Sequence, residues 1–163
     1  MVTLLLSFVM MAALFLLLYA AVALVQDRRF FTTAPKDIQE KVLDHQPRFA
    51  GQKILGLLLM SLAICMFLFS FIYAGYDGLR NGFSYCRLFM RYLIMLLLMK
   101  AFDIVFFDWF LLTRSNFFQH YYPETAGSEG YDSFGYNYRQ QLTETLAYIP
   151  ASLVMAWICT LMR

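Results

Sequence analysis

The sequence predicts an all-α integral membrane protein, a bundle of four transmembrane helices in a single domain over residues 1–163. Of these residues, 61% are hydrophobic and only 15% are charged. In soluble domains, about 45–50% of the residues are apolar and about 25% are charged. The apolar residues are gathered into four long runs. Each run is close to the roughly 20 residues that an α-helix needs to cross a bilayer core about 30 Å thick. A soluble domain is therefore nearly excluded.

The first two spans carry no charged residue. The run 2–25 is 24 residues long and has no basic residue before it. It is too long for the apolar part of a secretory signal, so we expect it to be retained as a first span. The run 54–76 has 23 residues and is equally apolar. Both lengths are sufficient for a membrane crossing.

The last two spans are less regular. The third, 92–113, has a suitable length but contains Lys100, Asp103 and Asp108. The fourth, 143–162, carries Pro150 near its start. Proline removes one backbone hydrogen bond and clashes with the preceding turn, so we expect a bend there.

Basic residues near the ends of the spans predict the orientation, because Lys and Arg concentrate on the cytosolic side. The two long connections together hold eight: Arg28, Arg29, Lys36, Lys41, Arg48, Lys53, Arg114 and Arg139. The opposite side holds four: Arg80, Arg87, Arg91 and Arg163. We therefore expect both termini outside and both long connections in the cytosol, with the plasma membrane as the location.

The first long connection contains a helix signal at 35–46. Pro35 suits the first turn of a helix, and no further breaker follows before Pro47. Ile38 and Val42 fall on one side. This pattern favours a short amphipathic helix on the membrane surface over a solvated connector.

The second long connection, 114–141, is rich in glycine and tyrosine. Its glycines are Gly127, Gly130 and Gly135, and its tyrosines are Tyr121, Tyr122, Tyr131, Tyr136 and Tyr138. Tyrosine has an apolar ring and a polar tip, so it concentrates at membrane interfaces and at binding surfaces. We expect this segment to lie at the headgroup level, with a ligand-contacting loop as the alternative.

The charges of the third span are the candidate functional residues. A charged side chain at a helix centre costs roughly 2.5–3.5 kcal/mol on insertion scales, so it must face protein or water. Lys100 and Asp103 lie one helical turn apart and can pair, whereas Asp108 projects to the other side and needs another partner. Secondary candidates for that partner are Arg114, Arg139 and His120, besides a bound cation.

Other kinds of chemistry find little support. The net charge of +2 does not indicate the strongly basic surface that is typical of nucleic-acid-binding domains. Cys65, Cys86 and Cys159 form no CxxC pair, and there is no cofactor motif. His120 and Glu124 are four residues apart, but Pro123 disfavours a helical metal site. We expect no metal and no cofactor.

Two function classes stay open. The first is a non-enzymatic carrier or channel working as an oligomer, or an accessory subunit of a larger membrane complex, with Lys100, Asp103 and Asp108 as its polar centre. The alternative is a membrane-embedded enzyme or binder for a lipid or lipophilic substrate. It would hold the substrate between the third and fourth spans, beneath the tyrosine-rich connection, with Asp108 and His120 as acid and base. The lipid bilayer is the expected surrounding in either class.

Overall fold

A computed structural model describes residues 1–162, and all the regular structure in that part of the chain is helical. The α-helices are α1 (Val2–Tyr19), α2 (Lys36–Lys41), α3 (Gln52–Arg80), α4 (Tyr85–Phe102), α5 (Phe117–Tyr121) and α6 (Tyr138–Leu161). Two π-helical segments, Ala20–Val25 and Asp103–Leu112, continue α1 and α4. Short 3-10 turns occupy Arg28–Phe31, Pro123–Thr125 and Glu129–Asp132. The predicted all-α class is confirmed.

Three helices are long and apolar enough to cross a membrane: Val2–Val25, Gln52–Arg80 and Tyr138–Leu161. They indicate a membrane location. The predicted count of four is not confirmed, because the helix formed by α4 and its π-helical extension carries five charged residues: Arg87, Arg91, Lys100, Asp103 and Asp108. A crossing by α4 and its π-helical extension stays a prediction. α6 continues through Pro150 without interruption.

The long helices pack around α1. This helix contacts α3 and α4, and α4 packs in turn against α6. Leu6, Met10, Tyr92, Met95 and Ala156 form the buried core between them. Gly75 on α3 permits a close approach, since a Cβ there would lie 2.7 Å from Tyr92 Oη and 2.8 Å from Cys159 Sγ.

The turn between α3 and α4 lies at one end of the bundle. Residues 1–4 line a groove with Asn81 and Phe83 of this turn. Arg91 is buried next to it, where its Nη1 donates to Asp77 Oδ2 over 2.7 Å and its guanidinium covers the ring of Phe83. The ion pair with Asp77 explains how α4 accommodates Arg91, a residue that we expected in the connection between the second and third spans.

The two long connections meet at the opposite end and fold together. We call residues 26–51 and 113–137 the cap. Asp37 Oδ2 accepts a hydrogen bond from the backbone N–H of Gly130, and Lys41 Nζ donates to Ser128 Oγ. The two segments also share a small apolar core with the π-helical segments beneath them. It is formed by Val22, Phe31, Ile38, Val42, Leu112, Tyr122 and Tyr131. The cap is therefore a packed layer over the ends of the helices.

The cap corrects two expectations. The predicted helix 35–46 is only the six residues of α2, because Val42 already has an extended conformation. Ile38 and Val42 are buried, and they pack against residues from the other connection rather than forming an exposed apolar face. Tyr122 and Tyr131 are also buried, so part of the tyrosine-rich segment contributes to a protein core.

Candidate functional site

Asp103 and Asp108 lie on the same side of their helix and line the same two cavities. The expectation that Asp108 projects away from the Lys100–Asp103 face was wrong, because it assumed α-helical geometry. Residues 103–112 form a π-helix. A π-helix bonds residue i to i+5, so side chains five positions apart fall one turn above each other. Segments of this kind often occur at functional sites.

Lys100 is the cation of the site. Its Nζ lies 3.1 Å from Asp103 Oδ2 and 2.5 Å from Glu144 Oε2 on α6, and its side chain is 5% exposed. Two carboxylates therefore satisfy one buried ammonium group. This double ion pair also joins α4 to α6, at the end where the cap begins.

Asp108 is held by an amide rather than by a cation. Gln141 on α6 donates from Nε2 to Asp108 Oδ2 over 2.5 Å. The other end of that amide, Gln141 Oε1, is buried and receives no hydrogen bond from the described residues. The orientation of the amide follows from chemistry, since the reverse orientation would place two acceptor oxygens against each other.

Two adjoining cavities surround these groups. A polar cavity of about 170 Å³ is lined mainly by the charged cluster and by amide side chains of α6, among them Gln140 and Gln141. A second cavity of about 150 Å³ extends beneath the cap and has a largely apolar wall. Its aromatic lining residues are Phe30, Phe31, Phe107, Phe118, Tyr131 and Tyr136. Thr33, Asp103, Asp108 and Tyr136 belong to both linings.

Tyr136 connects the cap to the charged cluster. Its hydroxyl donates a hydrogen bond to the backbone oxygen of Thr33. Burial raises the pKa of Tyr136, and the nearby negative charges of Asp108 and Asp103 raise it further. The phenol is therefore neutral at physiological pH. Because its single proton is donated to Thr33, its oxygen can accept a hydrogen bond in the wall of both cavities.

The secondary candidates lie away from this cluster. The guanidinium of Arg114 is 6.0 Å from the centre of the Trp109 ring, and Arg139 donates from Nε to Tyr138 Oη. His120 is exposed and packs edge-on against Tyr121. Arg114, Arg139 and His120 line neither cavity. None of these three residues is the partner of Asp108.

Glu124 takes part in a different contact. Its Oε1 lies 3.0 Å from His45 Nε2 and accepts a hydrogen bond from the backbone N–H of Leu43. It therefore fastens the two segments of the cap to each other. His120 does not share this contact. Across residues 1–162, no three His, Cys, Asp or Glu side chains are arranged to hold one metal ion.

Sequence reasoning missed Glu144 and Gln141, which bond directly to the predicted charges Lys100 and Asp108. It also missed other residues that line the charged cavity: Thr33, Asn137 and Gln140. Glu144 carried a usable signal, because it is a carboxylate inside the predicted fourth span 143–162. Intramembrane carboxylates usually have a partner, and Lys100 was a candidate. Gln141 gave no comparable signal, since it lies at the end of a polar connection where amides are common.

The polar site does not continue through the bundle as a chain of charges. Beyond Lys100, the core between the helices is mainly apolar, with residues such as Met10 and Met95. The next buried charge, Arg91, is paired with Asp77 near the turn between α3 and α4. Ser7 and Ser70 bond carbonyl oxygens of their own helices. The two adjoining cavities form a recess with polar groups in one part and aromatic rings in the other, which can hold a small molecule with one polar and one apolar end.

Comparisons of the chain with protein families, with curated proteins and with solved structures found no match.

Proposed function

We propose that this chain is a non-enzymatic membrane protein that binds a small amphiphilic molecule beneath the cap, as a carrier or as an accessory subunit. One observation carries the proposal. An aromatic cavity and a charged cavity adjoin and share four lining residues. Ligand sites are typically concave and mostly apolar, with a few polar groups that fix orientation.

The recess favours binding over conduction within one chain. A conduction pathway is lined by rings of charged side chains or backbone carbonyls. Here the charged cavity lies next to the cap, and the buried core of the bundle is mainly apolar. Transport by a carrier remains compatible with this arrangement if the cap opens. Assembly with further copies or other subunits belongs to the same proposal.

An enzyme acting on a lipophilic substrate is the weaker candidate. That hypothesis required Asp108 and His120 to act together as acid and base. The cavity does lie beneath the tyrosine-rich connection, as the hypothesis required. His120, however, lines neither cavity. The position of the cavity supports ligand binding, and the position of His120 gives no support to proton transfer with Asp108.

Filling the apolar cavity tests the proposal. Ala34 lines it, so Ala34→Phe would occupy part of its volume of about 150 Å³. Ala12 is exposed on α1, and Ala12→Phe serves as the matched control. Binding of 2-phenylethanol to the full chain would be measured by saturation-transfer NMR in one type of micelle. We expect a signal for the unmodified chain and for Ala12→Phe that Ala34→Phe abolishes. Equal signals from all three proteins would refute the proposal.

A further inference from the structure

The charged cavity contains more carboxylates than cations. Asp103, Asp108 and Glu144 all line it, and Lys100 is the cation among its lining residues. If all four groups are ionised, three negative charges stand against one positive charge, a surplus of two. Charges interact more strongly in a protein interior than in water, so such a surplus attracts a positive ligand.

One of the two surplus charges lies on Asp108, and the other is shared by Asp103 and Glu144 around Lys100. Lys100 Nζ is within 3.1 Å of Asp103 and 2.5 Å of Glu144, whereas none of the ion pairs among residues 1–162 includes Asp108. A buried carboxylate usually has a cationic or multiple hydrogen-bond partner. The side-chain amides of Gln141 and Asn137 next to Asp108 are neutral, so no cation is paired directly with this carboxylate.

An independent observation points to the same ligand chemistry. Gln141 Oε1 is a buried acceptor for which the described residues supply no donor. Buried polar atoms without a partner are rare, and each suggests a missing group. A ligand that brings N–H donors together with a positive charge would satisfy both this oxygen and Asp108. Protonated amines have both properties.

The aromatic cavity defines the other end of the ligand. Its volume of about 150 Å³ equals that of an engineered apolar cavity that binds benzene, about 150 Å³. One ring or a short alkyl group would therefore fill it. Tyr136 and Phe107 lie next to the charged cluster, where a ring face can also attract a cation.

Building on the proposed function, we propose that the ligand is a protonated amine carrying one small apolar group, such as an aralkylammonium ion. The ammonium group lies between Asp108 and Gln141 Oε1, and the apolar group occupies the aromatic cavity. A divalent metal is disfavoured, because residues 1–162 contain no group of three suitable ligands. The site therefore distinguishes its ligand by charge at one end and by size at the other.

Three isosteric probes test this assignment on the purified full chain: 2-phenylethylammonium, 2-phenylethanol and phenylacetate. Binding would be measured calorimetrically at pH 7. The heat measured with the Ala34→Phe protein would be subtracted, because it reports partition of the probe into the micelle rather than binding in the cavity. We expect the ammonium ion to bind at least tenfold more tightly than the alcohol, and phenylacetate to bind more weakly than both.

Asp108→Asn separates charge from shape. This substitution keeps the size of the side chain and removes its charge, so the preference for the ammonium ion over the alcohol should fall at least fivefold. Asp132 is exposed outside the cavities, and Asp132→Asn should retain the preference. Gln141→Leu is a second variant, which removes the unpaired acceptor and should also weaken ammonium binding.

The outcomes distinguish the two proposals. Equal affinity for the ammonium ion and the alcohol, each lost in Ala34→Phe, would overturn the amine assignment and leave the proposed binding function intact. Tighter binding of phenylacetate would overturn the assignment in the same way. No cavity-dependent binding of any probe would overturn both.

Discussion

Gln141 and Asp108 join α6 to the π-helical segment through one short hydrogen bond, 2.5 Å between Nε2 and Oδ2. The two residues are 33 positions apart in the chain. Both residues line the charged cavity, and their contact fixes which end of the amide faces Asp108. The stability and the binding properties of the cavity therefore depend on the same pair.

Gln141→Leu should destabilise the protein by about 2 kcal/mol, because the partly buried carboxylate of Asp108 loses a hydrogen-bond donor. In the double variant Asp108→Leu/Gln141→Leu no unsatisfied carboxylate remains, so we expect a smaller loss than the sum of the two single changes. The free energy of unfolding would be measured by circular dichroism in mixed micelles with increasing dodecyl sulfate. Strict additivity would contradict the direct contact.

Lys100→Met should be more destabilising, by about 3 kcal/mol. It leaves Asp103 and Glu144 without their shared cation, and breaking a buried ion pair from one side typically costs about 3–5 kcal/mol. The lower end applies because the Glu144 side chain is 41% exposed. Lys53 is exposed at the start of α3, and Lys53→Met is the matched control. A Lys100→Met protein as stable as this control would show that the double ion pair contributes nothing to folding.

Gly75→Ala should lower stability by about 1 kcal/mol, although alanine is the better helix former. The gain in helix propensity is about 1 kcal/mol, whereas adding a methyl group to a close helix contact costs about 1–3 kcal/mol. The added Cβ would meet Tyr92 Oη at 2.7 Å and Cys159 Sγ at 2.8 Å. Combining it with Cys159→Ala should recover part of the loss in a thermal-unfolding measurement. Stabilisation by Gly75→Ala alone would show that α3 and α6 can separate without cost.

Tyr122→Phe should leave stability unchanged or raise it by up to about 1 kcal/mol at pH 7. The Tyr122 hydroxyl is buried and has no hydrogen-bond partner among the described residues, so its removal relieves a desolvation cost. Burial also raises the pKa of Tyr122. Above the ordinary pKa of 10.0, the unfolded chain releases this proton more readily than the folded chain, so stability falls as pH rises.

The pH dependence of Tyr122→Phe can be compared with a surface tyrosine. Unfolding would be measured at pH 8 and pH 11. The unmodified protein should lose more stability between these values than Tyr122→Phe does. Tyr138 is 61% exposed, and Tyr138→Phe should behave like the unmodified protein. An equal loss in all three proteins would show that Tyr122 does not titrate with unfolding.

The apolar helices were the part of the fold most accessible from sequence. The spans 2–25 and 54–76 were expected from uninterrupted apolar runs, and they lie within helices of spanning length, Val2–Val25 and Gln52–Arg80. The reason is local, because backbone N–H and C=O groups in lipid must be hydrogen-bonded, and an α-helix satisfies them within its own segment. The cap was less accessible, because its two segments are stabilised by contacts with each other, such as that of Asp37 with Gly130.

In the candidate site, too, some contacts could be predicted from local spacing and others could not. Lys100 and Asp103 were expected to pair because they are three residues apart on one helix, a relationship that sequence spacing describes. The spacing of Asp103 and Asp108 was misleading, since a π-helix replaces the expected α-helix there. Helix type depends on how α4 and its extension pack against their neighbours, which no single segment encodes.

The sequence by itself determined that this chain is helical, that its helices are apolar enough for a membrane, and that three charges on one helix need compensation. Composition and local spacing are sufficient for these conclusions. Only the tertiary structure decided that Glu144 and Gln141 provide part of the compensation, across separations of 44 and 33 residues. It also decided that an aromatic cavity adjoins the charged cluster. Both depend on which helix faces meet, because a side chain finds its partner through packing in space.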